Sequence, residues 1–453
     1  MDFLMLLPIF VTGVGMYMLV KLRFFFIVHP VKTGKRLFAA LRKKENFSAL
    51  ALALAGTLGV GNIFGVAMGI IVGGAGSLFW LFISAFFSMA IKYSEAVLSA
   101  DNISIDSDSS SHGGMHYVLK RAFTKHGGKI GAVYAALAVI LSFTMGASLQ
   151  SRSIAGAVEK SIGTSSIIVL AVILISVSAA VLDGISKIEK ITAKVIPLTT
   201  VIYIFICFLA IFSNIERIPE AIKLIFKEAF SLRSAGGGVG AYLLIRAIKE
   251  GYNGGVLSNE AGVGTSAMAH ARACEATPHE RGLFGICEVL FDTVFLCMLT
   301  GLVILVGVEN IGEYNSGMAL VSDAFANTLG NGARYLLLVL VFAFAYSTIV
   351  CWYYYGSECR RYLFGKKYRT VFAVLFFGFI MFGVFAGDLV SVRLTDTVLL
   401  LMSVPTLISI IKSSDRIVHL SELDGFLKKP KKLQKTDTGA KRNTLVGKRG
   451  NAG

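Results

Sequence analysis

The chain has 453 residues, 55% of them hydrophobic and only 16% charged, with a mean hydropathy of +0.70. These proportions exclude a soluble globular domain and place the protein in the polytopic membrane class, where length no longer measures domain count. The formal net charge of +16 does not indicate a nucleic-acid groove: Lys and Arg fall between the apolar runs and in the tail from Lys428 onward, as expected for anchoring at an anionic membrane face.

The first apolar run opens Met1-Asp2-Phe3, with no basic segment before it and no small-residue cleavage site after it. It is expected to stay in the mature protein as a membrane helix, with Lys21 and Arg23 snorkelling at its end. Further apolar segments fall near residues 48–73, 76–100, 130–150, 165–182, 193–213, 237–272 (interrupted), 282–307, 333–357, 369–388 and 394–412. With the first, at 3–28, this predicts about eleven transmembrane helices in an all-α fold. Ser107 to Ser111 reads as a loop, and Glu216 to Lys227 as an amphipathic helix along the outer interface. The six cysteines (Cys207, Cys274, Cys287, Cys297, Cys351, Cys359) show no CxxC pairing and read as small buried residues, neither disulfides nor a zinc site.

The connection after the first span carries Lys32, Lys35, Arg36, Arg42, Lys43 and Lys44, and the one after the ninth carries Arg360, Arg361, Lys366, Lys367 and Arg369. Both are expected on the cytoplasmic side. The stretch near 308–333, with Glu309, Glu313 and Asp323 and no Lys or Arg, is then expected outside. Eleven crossings place the N-terminus outside and the C-terminus inside. The basic tail, 413–453, is expected to be a solvated cytoplasmic extension.

Two spans look broken. The run Gly56-Thr57-Leu58-Gly59-Val60-Gly61-Asn62-Ile63-Phe64-Gly65 puts four glycines and an asparagine inside a membrane-length apolar segment. A spanning helix unwinds only where the freed N–H and C=O groups line a cavity or meet a bound ion. Close helix packing through small residues is the other reading of the same pattern. The second break is expected around Tyr252-Asn253-Gly254-Gly255, with Ser258 capping the helix that follows and Glu260 in its first turn. Setting aside the first helix (1–30), ten spans divide into five (48–213) and five (237–412), and each set opens with a broken helix. An odd number of helices per set inverts the second copy, the arrangement of inverted-repeat secondary transporters with a site at the bilayer midplane.

Several motifs extend this reading. The Gly56 to Gly65 run is followed by Gly73-Gly74-Ala75-Gly76-Ser77-Leu78-Phe79-Trp80 and Lys92-Tyr93-Ser94-Glu95. Further on come Gly113-Gly114-Met115-His116-Tyr117, Ser258-Asn259-Glu260-Ala261-Gly262-Val263-Gly264 with Ala269-His270-Ala271, Glu288-Val289 with Asp292-Thr293, and Trp352 with Tyr354-Tyr355-Gly356. Together they resemble the sodium:alanine symporter family, also called the alanine or glycine:cation symporters, over nearly all of the membrane region. The resemblance implies the LeuT-like five-plus-five inverted repeat of the amino acid-polyamine-cation superfamily with one additional N-terminal helix. It also implies sodium-coupled uptake of a small neutral amino acid, alanine or glycine, across the cell membrane.

By position, the resemblance puts Thr57, Gly59, Gly61, Asn62, Gln150, Gly255, Ser258 and Trp352 at the substrate. It supplies sodium from carbonyls near Ala55 and Leu58 and from the hydroxyls of Ser347 and Thr348, hard oxygen ligands that suit this ion. No other cofactor is implied. Glu288 and Asp292, four apart on one helix face, read either as polar packing or as a proton or cation relay. His112 and His116 read as loop residues rather than a metal pair. The chain departs from the family pattern where Val60 replaces the hydroxyl of the usual GTGN, where Ala267 replaces a Pro, at Lys249-Glu250, and on the last span, at Asp396, Leu399 and Pro405-Thr406. Substrate and ion identity therefore stay open, as does oligomeric state. With no HExxH helix and no nucleophile-base set, an enzyme is not expected; a proton-coupled transporter and an amino acid sensor without flux are the alternatives.

Overall fold

The computed structural model describes residues 6–105, 111–230, 238–385 and 389–422. The first five residues, most of the Ser107 to Ser111 stretch and the basic tail from residue 423 onward lie outside them. The architecture is helical throughout; the one strand pairing among the described residues joins Ser104–Ile105 to Ser111–His112, antiparallel. Helices cover each of the apolar segments read from the sequence: α1 (Leu6–Lys21), α2 (Lys44–Thr57), α3 (Gly61–Gly73), α4 (Ser77–Asp101), α5 (Gly127–Ile162), α6 (Ser166–Val181), α7 (Ile185–Phe212), α8 (Gly238–Asn259), α9 (Pro278–Gly307), α10 (Gly332–Phe364), α11 (Arg369–Phe385) and α12 (Leu389–Lys412). Among the described residues six helices (α4, α5, α7, α9, α10 and, through Leu394–Lys412, α12) are long and apolar enough to cross a membrane. The pair α2 and α3, bent by 51° at a short break, makes a seventh candidate.

Helix α4 lies inside the bundle, flanked by α1, α8 and α9. Small residues allow that approach. A Cβ on Gly285 of α9 would lie 2.7 Å from the Lys92 carbonyl oxygen, and one on Gly251 of α8 would lie 2.7 Å from Trp80 Cβ. On the other side α10 packs against α2, α5 and α7, with Trp352 and Tyr355 fully buried. The amphipathic segment reads correctly as a helix, Ile218–Ala229. It docks by the Trp80 Nε1 donor to the Ala229 carbonyl at 3.2 Å, while Ile222 and Phe226 stay exposed.

The second break does not lie where the sequence places it. Helix α8 runs unbroken through Tyr252, Asn253, Gly254 and Gly255 to Asn259, and the interruption is residues 260–266, before a short helix Ala267–His270. The glycines at 251 and 255 serve packing against α4: a Cβ on Gly255 would collide with Ser84 Oγ. The backbone turns instead at Glu260 (φ 54°), Gly262 (φ 89°) and Gly264 (φ 81°), a left-handed region that glycine enters without steric cost. Of the six cysteines, five are buried as expected; Cys274 is exposed.

Ion pairs between connections sort into two sets. Arg36 with Glu280 (2.9 Å), Lys43 with Glu275 (3.1 Å), Arg272 with Glu189 (2.7 Å), Lys21 with Asp415 (2.8 Å) and Arg416 with Asp101 (2.7 Å) join stretches that alternate crossings assign to one face. Arg217 with Glu309 (2.5 Å) and Arg334 with Asp323 (2.8 Å) join stretches assigned to the other.

Closeness at Gly285 gives a direct expectation. Gly285→Val forces α9 off the α4 backbone and costs about 1–3 kcal/mol by overpacking. A lowered thermal unfolding midpoint of the detergent-purified protein reports it, against an unchanged midpoint for Gly378→Ala, where a Cβ meets open space.

Candidate functional site

Helix α2 ends because Leu58 takes φ −74°, ψ 71°, outside the helical region. The Gly59 N–H turns back to the Thr57 carbonyl at 2.8 Å, and the chain resumes as a π-helical turn, Gly61–Gly65. Groups freed at this break are met by side chains from elsewhere. Gln150 Oε1 accepts from the Val60 N–H at 3.4 Å, Trp352 Nε1 donates to the Gly56 carbonyl at 3.3 Å, and Thr348 Oγ1 donates towards the Leu58 carbonyl at 3.4 Å. Glycine at 59 leaves room for these partners: a Cβ there would lie 3.2 Å from both Gln150 Oε1 and Thr348 Oγ1, so one of the two side chains would have to shift. The Thr57 hydroxyl is buried beside the break without a partner, a donor and acceptor left over in a dry setting. Gly61 is exposed and a Cβ there meets open space.

Of the residues expected at the substrate, Thr57, Gly59, Gln150 and Trp352 therefore converge on one stretch, and Ala55 sits buried in the last turn of α2. Thr348 Oγ1 lies at the break but its shorter bond, 3.0 Å, is to the Phe344 carbonyl of its own helix; Ser347 bonds back to the Ala343 and Phe344 carbonyls, both at 2.9 Å, as hydroxyls in membrane helices commonly do. Gly255 is remote in role, held in the α4–α8 contact. Ser258 does not cap a following helix. It lies in the last turn of α8 and donates to Asp292 Oδ2 at 2.5 Å.

Asp292 is hydrogen-bonded to both interrupted helices. Asn62 Nδ2, from the first break, donates to its Oδ1, while Ser258 and Thr293 Oγ1 (2.9 Å) donate to its Oδ2. Asn259 Nδ2 in turn donates to Thr293 Oγ1 at 3.0 Å. All of these groups are buried. Three π-helical turns set this geometry: Gly61–Gly65 holds Asn62, Leu290–Cys297 holds Asp292, and Ser142–Leu149 immediately precedes Gln150. Each wide turn shifts the helix face presented afterwards, a feature common at functional sites. It also separates Glu288 from Asp292, which the regular spacing placed together.

Glu288 belongs to a second cluster around the break at 260–266. Lys92 Nζ donates to Glu288 Oε1 (2.9 Å) and to Ser266 Oγ (2.8 Å), and His270 Nε2 bonds Glu288 Oε2 (2.9 Å). Glu95 Oε1 accepts from the Gly262 N–H at 2.8 Å, and Glu260 Oε2 accepts from Thr265 Oγ1. Tyr134 donates to the Val263 carbonyl at 2.8 Å. Glu260 thus sits at a left-handed turn beyond α8, not in the first turn of a following helix. The cluster was missed as a site by sequence reasoning, although Lys92 and Glu95 are three apart inside an apolar span, a signal in its own right. His112 bonds Glu358 at 2.6 Å, and His116 packs among the rings of Tyr117 and Tyr362, where burial pushes its pKa down to about 3. Among the described residues no three His, Cys, Asp or Glu side chains gather to hold a metal.

The family model described as "Sodium:alanine symporter family" matches residues 2–439. The chain belongs to that family. It is 34% identical over 430 residues to the sodium/alanine symporter AgcS of Methanococcus maripaludis, with 92% of this chain and 93% of that protein covered. It is 31% identical over 414 residues to the probable sodium/glutamine symporter GlnT of Bacillus subtilis, covering 89% and 84%. Among solved structures the fold is like that of Mhp1, a nucleobase-cation-symport-1 family transporter with bromovinylhydantoin bound in a closed conformation: TM-score 0.50, 13% identity, 79% of this chain and 74% of that one covered. A sodium:alanine symporter family chain is a multi-pass membrane transporter.

The buried Lys92–Glu288 pair lends itself to a stability test. Lys92→Met leaves Glu288 without its cation in a setting with 0% side-chain exposure, and is expected to destabilise the protein by about 3–5 kcal/mol. In Lys92→Met/Glu288→Met, with both charges gone, most of the lost thermal stability should return.

Proposed function

We propose that the protein is a secondary active symporter of the cytoplasmic membrane that couples inward sodium movement to uptake of a small neutral amino acid, alanine or glycine, by alternating access. The observation that carries this reading is the unwound stretch Leu58–Val60, with the unpartnered Thr57 hydroxyl, facing Gln150, Thr348 and Trp352. Sodium binds the carbonyls of Ala55 and Leu58 and the hydroxyls of Thr348 and Ser347, replacing the long Thr348 to Leu58 contact. The amino acid carboxylate docks on the N-terminal turn after the break, at Gly59, Gly61 and Asn62, where backbone N–H groups and the helix dipole favour an anion. Gln150 and Thr57 hydrogen-bond the substrate, Ser258 meets it from the second interrupted helix, and the Trp352 ring walls the pocket so that only a short side chain fits.

The family membership and the sodium/alanine and sodium/glutamine names of two relatives support the coupling and the substrate class. The two sets of ion pairs support eleven crossings, with the N-terminus outside and the C-terminus in the cytoplasm. That count leaves α1 as the additional helix and two inverted sets of five, each opening with an interrupted helix. A membrane potential adds about 2.3 kcal/mol of driving force per charge per 100 mV.

Uptake of labelled alanine and glycine into proteoliposomes tests the reading, with an inward sodium gradient, a choline control and a proton-gradient arm. Sodium-dependent accumulation is expected, with apparent affinity weakened about 10–100-fold in Gln150→Ala and Asn62→Ala, the worth of one hydrogen bond to a charged ligand. Accumulation driven by protons alone would overturn the ion assignment, and binding without accumulation would make the protein a sensor.

A further inference from the structure

The cluster around residues 260–266 has more carboxyl groups than cations to pair them. Lys92 and Glu288 form one ion pair with 0% side-chain exposure on either partner. His270, 1% exposed, bonds Glu288 through Nε2 and has no partner at Nδ1. That leaves Glu95 and Glu260, each 1% exposed, with no cation of their own among the described residues. Even a doubly protonated His270 would neutralise only one of them.

Their hydrogen bonds follow one pattern. In each carboxyl group one oxygen accepts and the other is bare: Glu95 Oε1 takes the Gly262 N–H and Oε2 has nothing; Glu260 Oε2 takes the Thr265 hydroxyl and Oε1 has nothing. A carboxylate buried in a bilayer-spanning bundle needs both oxygens solvated or paired. A carboxylic acid carries its proton on the second oxygen, and leaving that neutral O–H bare costs less than leaving a charged carboxylate oxygen bare.

We propose that Glu95 and Glu260 form a two-proton site: both are held as neutral carboxylic acids at neutral pH, and their protons are the counter-charge that lets the second break lie dry between α4, α5 and α9. Protons enter from the aqueous phase with no bond to carbon made or broken, and each converts one carboxylate to the acid. The titratable groups facing the pair are Lys92 on α4, Tyr134 on α5, His270 beyond the break, Glu288 and Asp292 on α9, and Cys351 and Tyr355 on α10. Helices α1 and α12 contribute Val11 and Leu407 against Gly262 and the Thr406 hydroxyl near the Val263 carbonyl, none of which titrates. The assignment is independent of which amino acid or ion is carried.

Infrared spectra of the detergent-purified full chain in heavy water separate the carbonyl stretch of protonated acids from the amide bands and so test the site without any transport assay. At neutral pH the wild-type protein is expected to show protonated-acid absorption that falls in part in Glu95→Gln and in part in Glu260→Gln. It should persist undiminished in Lys92→Met/Glu288→Met, which removes an ion pair without net charge change and leaves both acids in place. An amide replaces a neutral acid at nearly constant volume and charge, so both Gln variants are expected to keep the wild-type thermal midpoint within a few degrees. Absence of protonated-acid absorption in the wild type at neutral pH overturns the proposal, and that result stands even where a variant fails to fold. Absorption that survives intact in Glu95→Gln/Glu260→Gln overturns it as well.

Discussion

A helix that opens inside a bilayer leaves carbonyl and amide groups that lipid cannot satisfy, at several kcal/mol for each group left bare, and the architecture around both breaks is the answer to that constraint. The first break is served by Gln150, Thr348 and Trp352, three side chains from α5 and α10. The second is served by Glu95 and Tyr134, from α4 and α5. Asn259, at the end of α8, adds a local cap by accepting from the Ala261 N–H at 3.0 Å. Most partners come from neighbouring helices, so each opening is also a tether between the helix that carries it and its neighbours.

Asp292 adds a different kind of tether because it binds both interrupted helices at once, Asn62 on one side and Ser258 on the other. Two broken helices joined through one carboxylate cannot change conformation independently. The π-helical turn that carries Asp292 aims it at the breaks, while Glu288, one regular turn earlier, is aimed at Lys92 and His270. A single widened turn thus divides two carboxyl groups of one helix between two tasks.

The first break was legible because its glycines coincide with an asparagine in the middle of an otherwise apolar run, and few other constraints put that combination there. The second was misplaced by several residues for a physical reason. Glycine answers two needs, a left-handed turn and a close helix contact, and composition alone does not distinguish Gly255, which approaches Ser84, from Gly262, which sits at φ 89°. Helical spacing likewise put Glu288 and Asp292 on one face because π-helical turns leave no periodic signal. The convergence of Thr57, Gly59, Gln150 and Trp352 was anticipated only through the family resemblance. Partners such as Glu95 with Gly262, 167 residues apart, depend on packing that no local pattern encodes.

The ionic contacts differ in cost by their exposure, and this orders which of them give way. Lys43 and Glu275 are each 53% exposed and Arg416 is 54% exposed, so such pairs are worth about 0–1 kcal/mol each. Arg272 and Glu189, at 24% and 19%, are intermediate. Lys92 and Glu288 have no exposure at all, and separating them would cost about 3–5 kcal/mol. On the face that carries these rim pairs, the exposed Lys43–Glu275 and Arg416–Asp101 contacts are therefore the weakest, and the Lys92–Glu288 pair, which joins α4 to α9, is the strongest link. The buried stretch Ala267–His270 is tied at one end by Ser266 to Lys92 and at the other by Arg272 to Glu189, and between them Ser99 and Tyr354 donate to the Ala267 and Met268 carbonyls, so it is fixed to α4 and α10 along its length.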